Sequence, residues 1–534
     1  MGVPELTEGV VHTSHNRCEP TRGAEGALHK LPDTERLRTT SKTREGGHEK
    51  MVVDKTRLAK RSILLIALVI VLVFSMFAAT ALAVTPQNAK NVIVMIADGC
   101  GYNTFLAGSY YQYGEAGTQV YDRFPTQYAC STYAFGGSYN PTKFWNAFEN
   151  QYGTATHEVT ESNMAATAMG TGSKTNIGVG MSPEQDWYTN IVEIAKGRGR
   201  MAGVVSTQSF AEATPAGFSA HAKDRKDLKT ILEQQLRESK LDVVMGPHNP
   251  WYNNNGELQT DPFFSDTSKY LWRETTWNDL KDGKLGNDAD GDGEIDYWTL
   301  IETREEFQAM MTGDTPKRVA GIPQCGGENG TGSGYHQFFR TGAGDDVPFK
   351  IPFLETSPTL TEMSLAAINV LDQDPDGFFL MIEGGNVDYG CHFGWMGRAI
   401  EELVDFNYAV EAVVEWVETN SSWDETLLIV TSDHETGAFW GPGAGKGEVK
   451  APGDPDVWVP IVNNGKGNMP GAVAYNHFWA YGPDFYWHSN ALVPLYAKGV
   501  NADLFHTQVK GMDPVRGAYV DNTGIFNVTE MSIR

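Results

Sequence analysis

Four apolar runs in this chain stop at or lead into an acidic residue, and that repetition constrains the fold more than any other feature. NVIVMIA (Asn91–Ala97) stops at Asp98-Gly99-Cys100-Gly101, and GVVST (203–207) leads into Glu212-Ala213-Thr214-Pro215. FFLMI (378–382) ends at Glu383-Gly384-Gly385, and TLLIVTS (426–432) ends at Asp433-His434-Glu435-Thr436-Gly437. Continuous apolar runs suit strands of a parallel sheet that is covered on both faces. One acidic strand end is unremarkable, because Asp and Gly make turns. Four of them, with histidine added, read as a metal-lined rim, since ligands of open α/β sheets collect beyond the carboxyl ends of the strands. Helical patterns at 190–196, 226–238, Leu360–Leu371 and 397–418 lie between the runs, and Thr359 with Glu362 makes a capping box for the third. Alternating strand and helix predicts an α/β fold. The expected form is a three-layer α/β/α sandwich around a large, mostly parallel central sheet, with loop-rich insertions.

The 534 residues suffice for one large domain with insertions or for two to three ordinary ones. Residues 1–50 are polar and without apolar periodicity, as expected for a disordered extension preceding the true initiator, Met51. Residues 51–83 carry basic Arg57, Lys60 and Arg61, an apolar run, and Ala81-Leu82-Ala83, the pattern of a signal peptide or membrane anchor. The protein is therefore expected to be exported, with membrane attachment only if 62–83 stays uncleaved. Residues 84–534 form the expected catalytic domain. Its insertions are expected at 246–348, rich in Trp, Asn, Gly and Asp, and at 439–487, rich in Gly, Pro and Trp. Trp479, Tyr486 and Trp487 in the second would line the organic side of a substrate or form a dimer contact. The net charge of −25 argues against nucleic acid as a partner and demands local positive charge for any anionic substrate. Cys100, Cys130, Cys325 and Cys391 permit two disulfides, in pairings that the sequence leaves open.

The chemistry-bearing residues follow the strands. In 159–175, VTESNMAATAMGTGSKT, a polar entry runs into an Ala/Met helix. A hydroxyl there either caps the helix or, at the positive end of the dipole, serves as a nucleophile that can hold a phosphoryl group. Asp388 and His392 are four apart, hence on one helix face. Mixed His and carboxylate ligation suits zinc, whereas an oxygen-rich set with threonine suits magnesium.

These motifs together resemble the alkaline phosphatases over most of 91–505. Asp98-Gly99-Cys100-Gly101, Ser162 with Thr171-Gly172-Ser173-Lys174-Thr175, Glu212-Ala213-Thr214-Pro215 with Arg225, Glu383-Gly384-Gly385 with Asp388 and His392, and Asp433-His434 with His488 occur in the family's order. The resemblance implies hydrolysis of small phosphate monoesters through a phosphoserine at Ser162, with Arg225 clamping the phosphate. It implies one zinc on Asp388, His392 and His488, a second on Asp98, Asp433 and His434, and magnesium on Asp98, Thr214 and Glu383. Glu212 would assist magnesium through water, and a homodimer is an admissible assembly. Three positions depart from the family pattern. Glu161 and Asn163 flank the serine where Asp and Ala are usual, and Glu212 stands where many relatives have Asp or His. Glu161 keeps the charge for a contact with Arg225 on a longer arm. Asn163 either hydrogen-bonds phosphate or caps the helix.

Outside this set, Asp288, Asp290, Asp292, Glu294 and Asp296 have the spacing of a calcium loop, but position twelve is Thr299 in place of the bidentate Glu. The loop reads equally as a calcium site that stabilises the first insertion or as an acidic solvated turn. Two rival functions follow. One is a phosphodiesterase or phosphonate hydrolase of the same superfamily; the other is a non-catalytic extracellular calcium-binding protein, which would leave the zinc ligands unexplained.

Overall fold

The computed structural model describes residues 85–146, 158–267, 271–328, 336–341, 347–437, 439–440, 474–475 and 487–534. The extension at 1–50, the leader at 51–83 and Trp479 and Tyr486 lie outside the described residues. Ala83–Arg534 is a single unit. Its strands, in chain order, are β1 (Asn91–Ala97), β2 (Thr126–Ser131), β3 (Met201–Ser206), β4 (Val243–Met245), β5 (Thr299–Ile301) and β6 (Val319–Gly321), followed by β7 (Phe378–Gly384), β8 (Thr426–Thr431), β9 (Val493–Gly499), β10 (Val509–Asp513) and β11 (Gly517–Asp521). They form one sheet in the order β10-β11-β2-β9-β8-β1-β7-β3-β4-β6-β5. From β8 to β5 every neighbouring pair is parallel, and antiparallel pairing is confined to β9 with its neighbours and to β10 with β11.

Period-two alternation explains why β1 has no polar face. Val92, Val94 and Ile96 enter one buried cluster with Ala166, Met169, Ala216 and Phe218, while Ile93, Met95 and Ala97 enter another with Met363, Ala367, Leu403 and Val410. Helices thus cover both faces: α1 (Tyr102–Tyr113), α2 (Ser162–Thr171), α3 (Ala213–Ser219), α4 (Leu360–Leu371), α5 (Asn386–His392) and α6 (Met396–Asn420) are the ones that concern the site. The Thr359 and Glu362 capping box opens α4 as its spacing predicts. The Ala-rich sequence of α2 is used for close approach, since a Cβ on Gly217 of α3 would collide with Ala166.

The region 246–348 does more than cover the sheet edge. It supplies β5 and β6, which extend the parallel sheet beyond β4, so part of the expected insertion is sheet. Three-residue strands among Gly- and Asp-rich loops give too little apolar run to be read from the sequence. The four cysteines of this unit are free and buried, so neither permitted disulfide forms.

Candidate active site

The carboxyl ends of β1, β3, β7 and β8 are adjacent in the sheet, and the predicted residues project from the turns that follow them. Asp98 follows β1, and the next residue, Gly99, has φ +70; a Cβ there would sit 2.8 Å from Asp388 Cα, which only glycine avoids. Gly99 N donates to Asp433 Oδ1 at 3.0 Å and so joins the turn after β1 to the turn after β8. Glu383 lies within β7, and two residues beyond that strand α5 carries Asp388 and His392 on one face, His392 Nε2 lying 3.1 Å from Asp388 Oδ2. His488 comes from a short strand, His488–Ser489, paired with Glu435–Thr436. Its Nδ1 bonds the Thr160 carbonyl oxygen at 2.9 Å, which leaves Nε2 facing the site.

Two groups of ligand atoms result: those of Asp98, Asp433 and His434, and those of Asp388, His434 and His488, each within 4.8 Å of one another. His392 joins the second, its Nε2 being 3.1 Å from that of His488. Two nitrogens on one tetrahedral zinc, with Zn–N of about 2.0 Å, stand about 3.3 Å apart. Asp98 Oδ1 is buried and accepts no hydrogen bond, its nearest cationic partner being His434 Nε2 at 3.5 Å. The His/carboxylate donor set and this orphaned oxygen both fit divalent cations.

The electrostatics agree. Burial, reinforced by Asp433, Asp388 and Glu383, raises Asp98 far above the usual carboxylate range. Burial also pushes Glu383 up to about 8, against the opposing Ser206 and Thr214 hydroxyls. Asp388 and Asp433 resist burial and fall below the ordinary range, because His392 and His434 respectively lie beside them. His488 is driven down to about 4 by burial and by the neighbouring His434, whose ring centroid is 3.6 Å away. The site is thus short of positive charge.

Ser162 is the first residue of α2, and its Oγ lies 3.1 Å from His434 Nε2. The capping position falls to Glu161, which makes no side-chain cap bond, and the Thr160 hydroxyl bonds the Glu161 carbonyl; neither hydroxyl caps the helix. Asn163 is the second residue of α2, and its Nδ2 donates to the Gly178 carbonyl oxygen at 2.5 Å, tying α2 to the loop beside it. The longer arm of Glu161 does reach Arg225, at 3.5 Å, and Glu212 approaches the same guanidinium at 3.7 Å. Glu212 and Glu161 outweigh the effect of burial and hold Arg225 firmly charged. Thr214, in the first turn of α3, is buried near Glu383.

Three supporting groups were not singled out in the sequence. The Thr436 hydroxyl donates to Asp388 Oδ1 at 2.5 Å and lies 3.2 Å from His434 Nδ1. The Ser206 hydroxyl donates to Glu383, and the Ser432 hydroxyl donates to the His434 carbonyl while accepting from Cys100 N. Thr436 was legible as part of Asp433-His434-Glu435-Thr436-Gly437; the two serines look like any strand residue. At the acidic loop, ligand atoms of Asp288, Asp290 and Asp296 also cluster, but Lys317 Nζ already contacts Asp290 at 2.5 Å and Asp296 at 2.6 Å. Asp292 and Glu294 stay outside that cluster, and the Asp292 carboxylate accepts from Glu294 N.

A sequence model of the alkaline phosphatase family matches residues 89–266 and 337–457, more than half of the chain, and the protein belongs to that family. Alkaline phosphatase 3 of Bacillus subtilis (strain 168) is 26% identical over 363 residues, covering 66% of this chain and 62% of that protein. The repressible alkaline phosphatase of Saccharomyces cerevisiae is 28% identical over 429 residues, covering 76% of this chain and 66% of its own length. The chain therefore spans less than two thirds of either relative. The same fold occurs in the alkaline phosphatase of the Antarctic bacterium TAB5 (TM-score 0.51, 22% identity, 84% of this chain and 98% of that one) and in the cold-active enzyme of the psychrophile Shewanella sp. (TM-score 0.55, 20% identity, 83% and 100%).

Proposed function

We propose that the protein is an exported phosphomonoesterase that works through a phosphoserine at Ser162. The observation that carries this reading is the position of Ser162 Oγ at the N-terminus of α2, 3.1 Å from His434 Nε2, with the charged Arg225 paired to the preceding residue, Glu161. Asp388, His392 and His488 would hold one zinc, and Asp98, Asp433 and His434 a second. Asp98, Thr214 and Glu383 would hold magnesium, with Glu212 acting through water. Bound divalent cations supply Lewis acidity, lowering the pKa of a hydroxyl or water and stabilising charge on a leaving oxygen.

The chain's own residues do the rest. Ser162 Oγ gives up its proton to water and attacks phosphorus in line, forming a P–O bond as the ester P–O bond breaks and the leaving oxygen takes a proton from water. Water then attacks the same phosphorus and breaks its bond to Ser162, Ser162 Oγ takes back a proton, and phosphate is released. Arg225 pairs two non-bridging oxygens, which favours a dianionic monoester over a diester. Glu161 and Glu212 aim that guanidinium. The positive end of α2 favours the phosphoryl charge at Ser162.

Turnover of p-nitrophenyl phosphate and of bis(p-nitrophenyl) phosphate, before and after chelation, tests the reading. The expected outcome is a strong monoester preference that chelation abolishes and zinc with magnesium restores. Faster diester turnover, or activity that survives thorough chelation, would overturn it. Export is tested separately by sequencing the N-terminus of the mature protein, expected after Ala83.

A further inference from the structure

Aromatic rings that the chemistry above does not use stand beside His392. Its imidazole has the Tyr389 ring 6.2 Å away at 68° and the Trp487 ring 6.4 Å away at 90°. Phe393 stacks on Trp395 at 4.7 Å, and the fully buried Phe338 packs on Trp395 at 5.5 Å and on Tyr389 at 6.2 Å. Core rings would be wholly buried, yet Tyr389, Phe393, Trp395 and Trp487 each keep part of their surface in solvent. The packing of Phe338 and Phe393 against Tyr389 makes it a fixed wall.

The direction of the reaction gives this wall a use. Ser162 Oγ approaches phosphorus from the His434 side. In-line displacement puts the leaving oxygen on the far side of phosphorus from Ser162 Oγ, and the half-buried rings of Tyr389 and Trp487 stand within the rim beside His392, whose Nε2 is 3.1 Å from that of His488. We propose that Tyr389 and Trp487 wall a leaving-group subsite for a flat aromatic ring, so that aryl-bearing phosphate monoesters are preferred over small polar ones. This specificity rests on the phosphomonoesterase reading. Offset or edge contacts with two rings are worth about a two- to tenfold change each.

The test compares benzyl phosphate, cyclohexylmethyl phosphate and glycerol 2-phosphate, whose leaving groups are all alcohols, on the metal-loaded full chain and on its Tyr389→Leu and Trp487→Leu variants. The wild type should show the highest kcat/KM with benzyl phosphate. Each variant should lower the benzyl-to-glycerol ratio of kcat/KM about two- to tenfold, mainly through KM. A wild type indifferent to the three substrates, or ratios that the variants leave unmoved, would overturn the subsite. Calorimetric binding of phenylphosphonate against methylphosphonate reads the subsite without turnover. Tighter phenylphosphonate binding supports it even if no ester is hydrolysed, and equal binding sinks it even if esters are hydrolysed quickly.

Discussion

Two clusters of acidic residues form on this chain and differ in what balances them. At the strand ends, Asp98, Glu383, Asp388 and Asp433 are buried, with histidines close to the three aspartates, the Ser206 hydroxyl on Glu383, and Arg225 turned toward Glu161 and Glu212. In the loop at 288–296 the carboxylates other than the buried Asp296 are more exposed, backbone N–H groups of Gly291, Gly293 and Ala289 donate to Asp288 and Asp296, and Lys317 is shared by Asp290 and Asp296. The loop solves its charge problem with its own chain and water. The rim cannot, because burial removes water and leaves Asp98 with an orphaned oxygen. A shortage of positive charge in a dry place, more than the number of acids, marks the site that calls for metal.

The comparison can be broken at several points. The largest effect should come from Ser162→Ala, which removes the nucleophile: turnover should fall at least about a thousandfold, with no phosphoenzyme trapped at acid pH. Label on another residue would refute the assignment. Chelation should abolish turnover and also lower the melting temperature, because ions that bind only the folded rim stabilise it by roughly 4 kcal/mol at a thousandfold excess over Kd. Scanning calorimetry with and without chelator measures it, and an unchanged melt would mean the rim does not depend on cations. Thr436→Val takes away the hydroxyl that orients Asp388 and should weaken zinc binding about 10- to 100-fold, as read by competition with a chromophoric chelator.

A smaller, pH-dependent effect is expected in α6. Glu402 is buried and pushed up to about 8 by that burial and by Glu401 and Asp405, although Arg340 and Arg398 oppose it. A carboxyl raised from the ordinary 4.5 keeps its proton in the folded state after the unfolded chain has released it. Its contribution is therefore complete below about pH 4.5 and declines as pH rises through about 8. Glu402→Gln should accordingly melt higher than wild type by a margin that widens from pH 5 to pH 9; a constant margin would contradict the raised value. The smallest effect belongs to the loop. Lys317→Met removes half-exposed ion pairs and should destabilise by less than about 1 kcal/mol. Since calcium would have to displace the ammonium from Asp290 and Asp296, any calcium-induced rise in melting temperature should be larger in the variant. Equal responses would mean that Lys317 does not compete.

Much of this protein was written locally. Apolar strands covered on both faces leave continuous runs, so β1, β7 and β8 and the acids that follow them could be read directly, as could the four-residue spacing of Asp388 and His392 and the capping box of α4. The sequence also held the motif order from which the family follows. What it could not contain was distance. That Thr436 reaches Asp388 across 48 residues, that Asn163 turns to Gly178, and that Thr160 lends its carbonyl to His488 across 328 residues are outcomes of packing. The short strands β5 and β6 were hidden for the same reason: three residues carry too little periodicity, and the pairing of β6 to β4 and of β5 to β6 makes them strands. Above all, two groups of carboxylates became different things only when the sheet buried one and left most of the other to solvent and Lys317. Side-chain chemistry is set by the sequence, but the dielectric around a carboxylate, and the cation it must find, are set by the tertiary fold.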